Sequence, residues 1–418
     1  MTTVADLKGQ TVAFAASGGL DSCTVTKWLT EHDVKVVCFT ADIAQPDETD
    51  FGEIERRMRA CGAADYVAVP LHDMIAEAGV EVIRFQACYE GRYWNTTGIG
   101  RHVIVAGLIP EMKKRGIGVL GHGATGRGND QVRFQLCTNM LAPEVTVYAP
   151  WRDPAFLARF RGRSEMIDYC AAHKLPVKAS KDAPYSTDAN LLGLTHEAGK
   201  LEHLTVSPWF VTPGMGVKPQ DAPDKPEAFT VRFEKGRPVA VNGKPTTAFA
   251  AIREANTVGG RNAVGICTHL VENRFVGIKS RGVYEAPGME LLGTCYSYLL
   301  QLVLDRRARE LFDHLSLFVA KQIYQGYGFD LATHVARSAM QPVADRMTGT
   351  VRVLLYKGQV VFDAAEDVPH QLYSEADASM EAVGAFDHAD SEGFLRVLQV
   401  SARAVAVHGQ AVPPAWAK

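Results

Sequence analysis

Residues 11–24 read TVAFAASGGLDSCT, and no other stretch limits the fold as much. Thr11 to Ala15 is a short apolar run with β-branched members. It breaks at Ser17-Gly18-Gly19, and Asp21-Ser22 opens an amphipathic segment that reaches Thr30. That is the pattern of a strand, a tight glycine turn and a helix. A glycine pair between a buried strand and a helix N-terminus lets backbone amides approach a ligand, and the unpaired N–H groups of the first helical turn complete an anion site. The loop lacks the G-x-x-x-x-G-K-S/T order, so a P-loop NTPase is excluded. A dinucleotide fingerprint is poorly matched as well. The expectation is a phosphate-binding loop at the start of an α/β domain.

The segments that follow extend this unit. Val34–Thr40 and Asp65–Val69 read as strands, with helices from Asp50 to Cys61 and from His72 to Ile83. This is βαβαβ, the start of a parallel sheet covered on both faces. Ala41 falls just past the second strand, where a base would lie at the carboxyl ends of such strands. Residues 88–100, CYEGRYWNTTGIG, are polar and glycine-punctuated and read either as a surface loop or as a ligand loop. A helix is expected from Arg101 to Lys114, a strand from Ile117 to Gly121, a helix from Gln131 to Thr138 and a strand from Glu144 to Tyr148. Between the last two strands lies GHGATGRGND, residues 121–130. Its glycines prevent regular structure and permit close backbone approach. Asn129 and Asp130 fit a helix cap, and they equally fit a polar ligand site at the end of a parallel strand.

Arg163–His173 reads as a helix, and residues 176–184 as a boundary between domains. Beyond about Leu201 the character changes to α+β. Hairpins are expected at 229–241 and 351–362, and a helix at 246–256 closed by Gly259-Gly260. Long helical patterns run over 289–311 and 317–340, and strand-like alternation over 395–407. Glu272, Lys279 and Arg281 suggest a surface ion-pair cluster. A chain of 418 residues is too long for one comfortable core. Its net charge of -3, with no basic stripe, argues against a nucleic-acid partner. No run is long and apolar enough for a membrane span. The eight cysteines show no C-x-x-C pair, so buried thiols in a reducing cytoplasm are expected rather than a metal or disulfide framework.

The string S-G-G-L-D-S resembles the pyrophosphate loop of the N-type ATP pyrophosphatases, which cleave ATP between the α and β phosphates. Three longer strings narrow the resemblance: GHGATGRGNDQVRF (121–134), YSTDAN (185–190) and VENRFVGIKSRGVYEAPG (271–288). In order and spacing they resemble the argininosuccinate synthase family over about residues 10–365. The resemblance implies an N-terminal parallel-sheet, adenine nucleotide alpha hydrolase-like domain over residues 1–176. It implies an α+β synthetase domain over 177–365 and a C-terminal extension for oligomerisation, 366–418. The reaction implied is ligation of L-citrulline and L-aspartate to argininosuccinate through a citrulline adenylate, in a cytoplasmic homotetramer.

Carried over residue by residue, Ser17, Gly18, Gly19, Asp21 and Ser22 cradle the pyrophosphate. Ala15 to Cys23, including Leu20, hold ATP together with Ala41 and Gly123. Thr125, Asn129 and Asp130 bind aspartate, Thr125 also reaching the nucleotide. Tyr93, Thr97, Asn129, Arg133, Ser186, Thr195, Glu272 and Tyr284 bind citrulline. Arg101 stands near both amino acids and meets a carboxylate. Asp21, Asp130 and Arg101 are the expected catalytic groups, and magnesium rides on the phosphates with Asp21 at that end. The chain departs from the family pattern at Cys23, Asp42, Gly98 and Thr195. Gly98 and Thr195 fall on the ureido side and leave open a paralogue that adenylates a different ureido or amide acceptor; a non-catalytic ATP-binding protein is the other alternative.

Overall fold

The computed structural model describes residues 2–177, 185–379, 381 and 387–417. The first sheet is parallel, with strands β1 (Thr11–Ala15), β2 (Lys35–Asp42), β3 (Asp65–Pro70), β4 (Val119–His122) and β5 (Thr146–Tyr148) in the order β3-β2-β1-β4-β5. Helices α1 (Leu20–Glu31), α2 (Phe51–Ala60), α3 (His72–Arg84), α4 (Thr96–Lys114), α5 (Asp130–Leu141), α6 (Pro154–Arg159) and α7 (Arg163–Ala172) accompany it. Alternation explains how one short apolar run serves two layers. Val12, Phe14, Val36 and Cys38 pack with residues of α1, α2 and α7. Ala13, Val37 and Phe39 join a core shared with α3 and α4. The order reverses at β1, so the loops after β1 and β4 diverge and leave a crevice at the strands' carboxyl ends.

Two antiparallel sheets follow. β6 (Ser186–Asn190), β7 (Gly193–Glu197), β11 (Thr268–Asn273) and β12 (Lys279–Glu285) form one, in the order β11-β12-β7-β6. β8 (Glu227–Glu234), β9 (Arg237–Val241), β10 (Lys244–Pro245), β13 (Gly349–Tyr356) and β14 (Gln359–Glu366) form the other, in the order β10-β9-β8-β13-β14. Helices α8 (Ala248–Arg261) and α9 (Pro287–Val303) pack with them, and α10 (Arg306–Gln325) packs with α11 (Leu331–Ala344) and with α4. Residues 1–370 make one compact unit. A single apolar cluster runs from Ala13 and Phe39 through Val80 and Leu108 to Leu292, Val319 and Val353. Residues 371–418 are a second unit, carrying α12 (Glu375–Ala378) and α13 (His388–Val407).

Several expectations need correction. α4 begins at Thr96, five residues before Arg101, and Tyr93, Trp94 and Asn95 ahead of it are buried. Asn95 turns the chain at φ 55, and its amide donates to the Ala87 and Ala320 carbonyls at 2.9 and 3.0 Å. α8 runs through Gly259-Gly260 instead of closing there, because the two glycines serve packing. A Cβ on Gly260 would meet the Met215 carbonyl at 2.1 Å, and one on Gly259 the Pro287 carbonyl at 3.0 Å. The 289–311 pattern is two helices, split where Asp305 caps α10 by accepting from the Ala308 amide at 2.7 Å. Residues 395–407 lie within α13, capped by Asp387. Their Ala, Leu, Arg and Gln content favours helix, and no strand pairs with them among the described residues. Among the described residues, Glu272, Lys279 and Arg281 form no ion-pair cluster. Arg281 donates to the carbonyls of Leu201, His203 and Val206, and Lys279 to Asn273. The expected boundary at 176–184 falls mostly on residues outside the described set.

Candidate active site

The loop after β1 is built as an anion cradle. Gly18 sits at φ 77, where a side chain would be strained and would also press on Ile54 at 3.0 Å. The Ser17 amide donates to Ser22 Oγ at 3.0 Å. Behind the loop, Arg57 is buried at 3% accessibility and donates to the Gly18 carbonyl at 2.7 Å and to Glu48 at 2.9 Å. This clamp turns the Gly18 carbonyl backward, leaving the front of the loop to amides and hydroxyls. Arg57 was not singled out in sequence, because on an amphipathic helix it reads as a surface charge.

The crevice opens into a cavity of about 560 Å³. Ala15, Ser17, Gly19, Asp21, Ser22 and Ala41 line the end beside the loop after β1, with Gly123 and Thr125 opposite. Gly123 lies so close to Asp21 that a Cβ there would sit 3.1 Å from the Asp21 Cβ. Burial raises the Asp21 carboxyl above its ordinary value. Trp151, whose Nε1 donates to Asp21 Oδ1 at 3.0 Å, and Arg163 oppose the rise.

The far end joins the first antiparallel sheet to α4 and α5. Strand register sets Asp188 opposite Thr195 and Thr195 opposite Tyr284, so the three share one row on the cavity face. Thr195 Oγ1 is 3.1 Å from Thr97 Oγ1, and the Thr97 amide donates to the Tyr93 hydroxyl at 2.9 Å. Arg101 donates to Asp130 at 3.0 Å and to Asp188 at 2.5 Å. Arg133 donates to Asp130 at 2.6 Å and to the Tyr324 carbonyl at 2.8 Å. Burial would raise the Asp130 carboxyl, but Arg101 and Arg133 override it and hold it down at about 2. Asp188 is raised instead, by burial and by Asp130, against the pull of Arg101. Asn129 Oδ1 accepts from the Phe275 amide at 2.8 Å, tying the loop after β4 to the β11–β12 turn. Glu272 accepts from Ser280 Oγ at 2.8 Å. His122 lines the wall and stacks on Phe134 at 4.7 Å, and burial lowers it to about 3, which keeps it neutral.

The sequence-expected residues therefore converge, with four exceptions. Gly18, Leu20, Cys23 and Ser186 do not line the cavity. Cys23 is fully buried, its thiol 3.8 Å from the Gly18 carbonyl on the clamped side of the loop. Leu20 packs into the core beneath it. Ser186 is exposed on β6. Sequence reasoning missed Asp188, Glu197, Arg274 and Tyr324, all of which line the cavity. Period-two alternation from Thr195 points to Glu197. Tyr324 gave no signal beyond its place in a helical pattern.

Two family models match this chain: the Arginosuccinate synthase N-terminal HUP domain over residues 11–176, and the Arginosuccinate synthase C-terminal domain over residues 185–405. The chain belongs to the argininosuccinate synthase family. Among the family's members, the argininosuccinate synthase of Rhodopirellula baltica is 40% identical over 401 residues, 96% of this chain and 98% of that one. The synthase of Thermotoga maritima is 38% identical over 392 residues, 92% of this chain and 95% of the relative. The chloroplastic synthase of Arabidopsis thaliana is 37% identical over 388 residues, 92% and 77% of the two chains. The HUP domain of the family is a nucleotide-binding domain, in keeping with the parallel sheet and the loop after β1. Among the described residues, no helix is long and apolar enough to cross a membrane.

Proposed function

We propose that this chain ligates L-citrulline to L-aspartate at the expense of ATP, giving argininosuccinate, AMP and pyrophosphate. The observation that carries the reading is one cavity in which an anion-cradling loop, at one end, faces a row of paired carboxylates, guanidiniums and hydroxyls at the other, in a chain of this family. Two α-amino acids bring ammonium and carboxylate groups, and such a mixed lining suits both.

In the first step the ureido oxygen of citrulline attacks the α-phosphorus, and pyrophosphate departs. Its charge is met by the Ser17 and Ser22 hydroxyls and by the amides that open α1. In the second step the aspartate amine attacks the activated ureido carbon and AMP leaves. Ala15, Ala41 and Gly123 would hold the nucleoside. Thr125, Asn129 and Asp130 would hold aspartate, with Asp130 orienting its amine. Tyr93, Thr97, Arg133, Thr195, Glu272 and Tyr284 would hold citrulline, and Arg101 would bridge the two amino-acid sites. Positioning and fixed charges supply the rate.

Among the described residues no cluster of three or more His, Cys, Asp or Glu could hold a metal ion. Magnesium would therefore enter on the ATP phosphates, neutralising their charge, with Asp21 the carboxylate at that end. We assign the nucleotide to residues 1–176, the acceptor wall to 177–365 together with Tyr93, Thr97 and Arg133 of the first segment, and self-association into a homotetramer to 366–418. α13 leaves Phe394, Val397 and Val400 more than 60% exposed, which supports the last assignment. Eight unpaired cysteines fit a reducing cytoplasm.

The test is pyrophosphate release from purified protein with ATP and magnesium, supplying aspartate and a panel of ureido, amide and carboxylate acceptors. Release dependent on both aspartate and citrulline is expected. Release with a different acceptor, or none with any, overturns the assignment of citrulline.

A further inference from the structure

The aspartate amine is an ammonium ion at neutral pH and must lose a proton before it can attack. We propose that Glu197 is the catalytic residue that takes this proton. The inference rests on the ligase reading above and adds to it a base.

Glu197 closes β7, two residues past Thr195, on the same cavity face. It is opposite Gly282 in the sheet. A Cβ on that glycine would meet the Tyr284 hydroxyl at 2.8 Å, so the bare position lets the Tyr284 ring fold over the strand beside Glu197. Arg274 ties Glu197 to the aspartate loop: its Nη2 is 3.3 Å from the Glu197 carboxylate, and its Nη1 donates to the Arg127 carbonyl at 3.3 Å. The carboxylate thus stands at the junction of the expected citrulline wall and the loop carrying Thr125, Asn129 and Asp130.

Apart from Asp47, whose charged neighbours are the carboxylates of Asp188 and Glu48, the other proton acceptors of the cavity are occupied. Asp130 is held as an anion by two guanidiniums, Asp188 is bound to Arg101, and Glu272 accepts from Ser280. Glu48 is bound to Arg57 beside the phosphate loop, and Asp21 is taken by Trp151. His122 is buried and neutral. Among the described residues, Glu197 keeps only the long contact to Arg274, and its side chain is 45% accessible, opening onto the cavity. The groups facing it are Arg274, Glu272 from β11, Asp130 from α5, Asp188 from β6 and Tyr284 from β12. Burial and Asp130 raise its carboxyl to about 7, against the pull of Arg274 and with smaller pushes from Asp188 and Glu272. A base tuned near the working pH is the most effective. Water in the open cavity tempers the shift, and substrates that displace it restore the effect.

The step balances as follows. One ammonium proton passes to a Glu197 oxygen and frees the nitrogen lone pair. That pair forms the nitrogen–carbon bond. The carbon–oxygen bond to the adenylyl group breaks, its electron pair going to the phosphate oxygen of AMP. The nitrogen's remaining excess proton leaves on that phosphate, and Glu197 returns its proton to water.

The test uses Glu197→Gln and Glu197→Asp in the full chain, with the two half-reactions read separately. Exchange of labelled pyrophosphate into ATP with citrulline and no aspartate reports adenylation. Argininosuccinate formation reports both steps. We expect Glu197→Gln to retain citrulline-dependent exchange and to lose on the order of 100- to 1000-fold in argininosuccinate formation, with the remaining rate rising as pH is raised. Hydroxylamine, an amine already neutral at neutral pH, should intercept the activated citrulline equally well in both proteins. Glu197→Asp should recover part of the lost rate. Undiminished argininosuccinate formation in Glu197→Gln, or parallel loss of exchange and hydroxylamine capture, overturns the assignment of Glu197 alone. Wild-type protein without citrulline-dependent exchange overturns the ligase reading, and the assignment with it.

Discussion

Replacing Asp130 with Asn keeps the shape of the side chain and removes its charge from between Arg101 and Arg133. In the folded protein these guanidiniums hold the Asp130 carboxyl at about 2, below its ordinary 3.8. A depressed acid stabilises the fold above its ordinary pKa, and the contribution disappears as pH falls through the folded value. The two values differ by an amount corresponding to about 2.4 kcal/mol at neutral pH. The side chain is 25% exposed, so solvent screening takes only part of this. Arg101 keeps Asp188 as a partner, and Asp188, freed of its neighbour's charge, ionises more readily and restores some of the loss. A net cost of about 1–2 kcal/mol at neutral pH follows, about half of it remaining near pH 3. Urea unfolding of both proteins across this range measures the difference. A gap that stays constant with pH, or grows as pH falls, would refute the assignment of the stabilisation to the ionised Asp130. Aspartate-dependent turnover should fall by ~100-fold or more, because the amine loses its anionic partner.

The remaining predictions concern the acceptor wall and the phosphate loop. Thr195→Val removes the hydroxyl 3.1 Å from Thr97, and should cost about 1 kcal/mol and raise the citrulline KM five- to tenfold (roughly, from that energy) at little-changed kcat. An unchanged KM would detach Thr195 from the acceptor. Trp151→Phe removes the donor that favours ionised Asp21, so its carboxyl rises further and the acid limb of the pH–rate profile should move to higher pH. An unmoved limb would mean that turnover does not depend on Asp21 being charged.

Local chemistry made much of this protein readable. Strand, glycine turn and helix at residues 11–31 depend on neighbours in sequence, and β1 and α1 formed within a few residues of expectation. The same holds for α2, whose cap Asp50 accepts from the Glu53 amide at 2.9 Å. Where two periodicities competed, as at 395–407, or where a glycine served a neighbour rather than its own helix, as in α8, local pattern misled.

Sequence by itself determined the anion loop, the parallel sheet around it and the polar strings after β4 and in β11–β12, because each follows from the residues' own backbone preferences and spacing. Tertiary structure alone decided which charges are paired. Arg57 became the clamp behind Gly18, Asp130 was shared by two arginines, and Glu197 was left, among the described residues, with a single long contact. Those partners lie 3 to 77 residues apart in the chain. The strength of a charge depends on burial and on neighbours that only folding brings within a few ångströms.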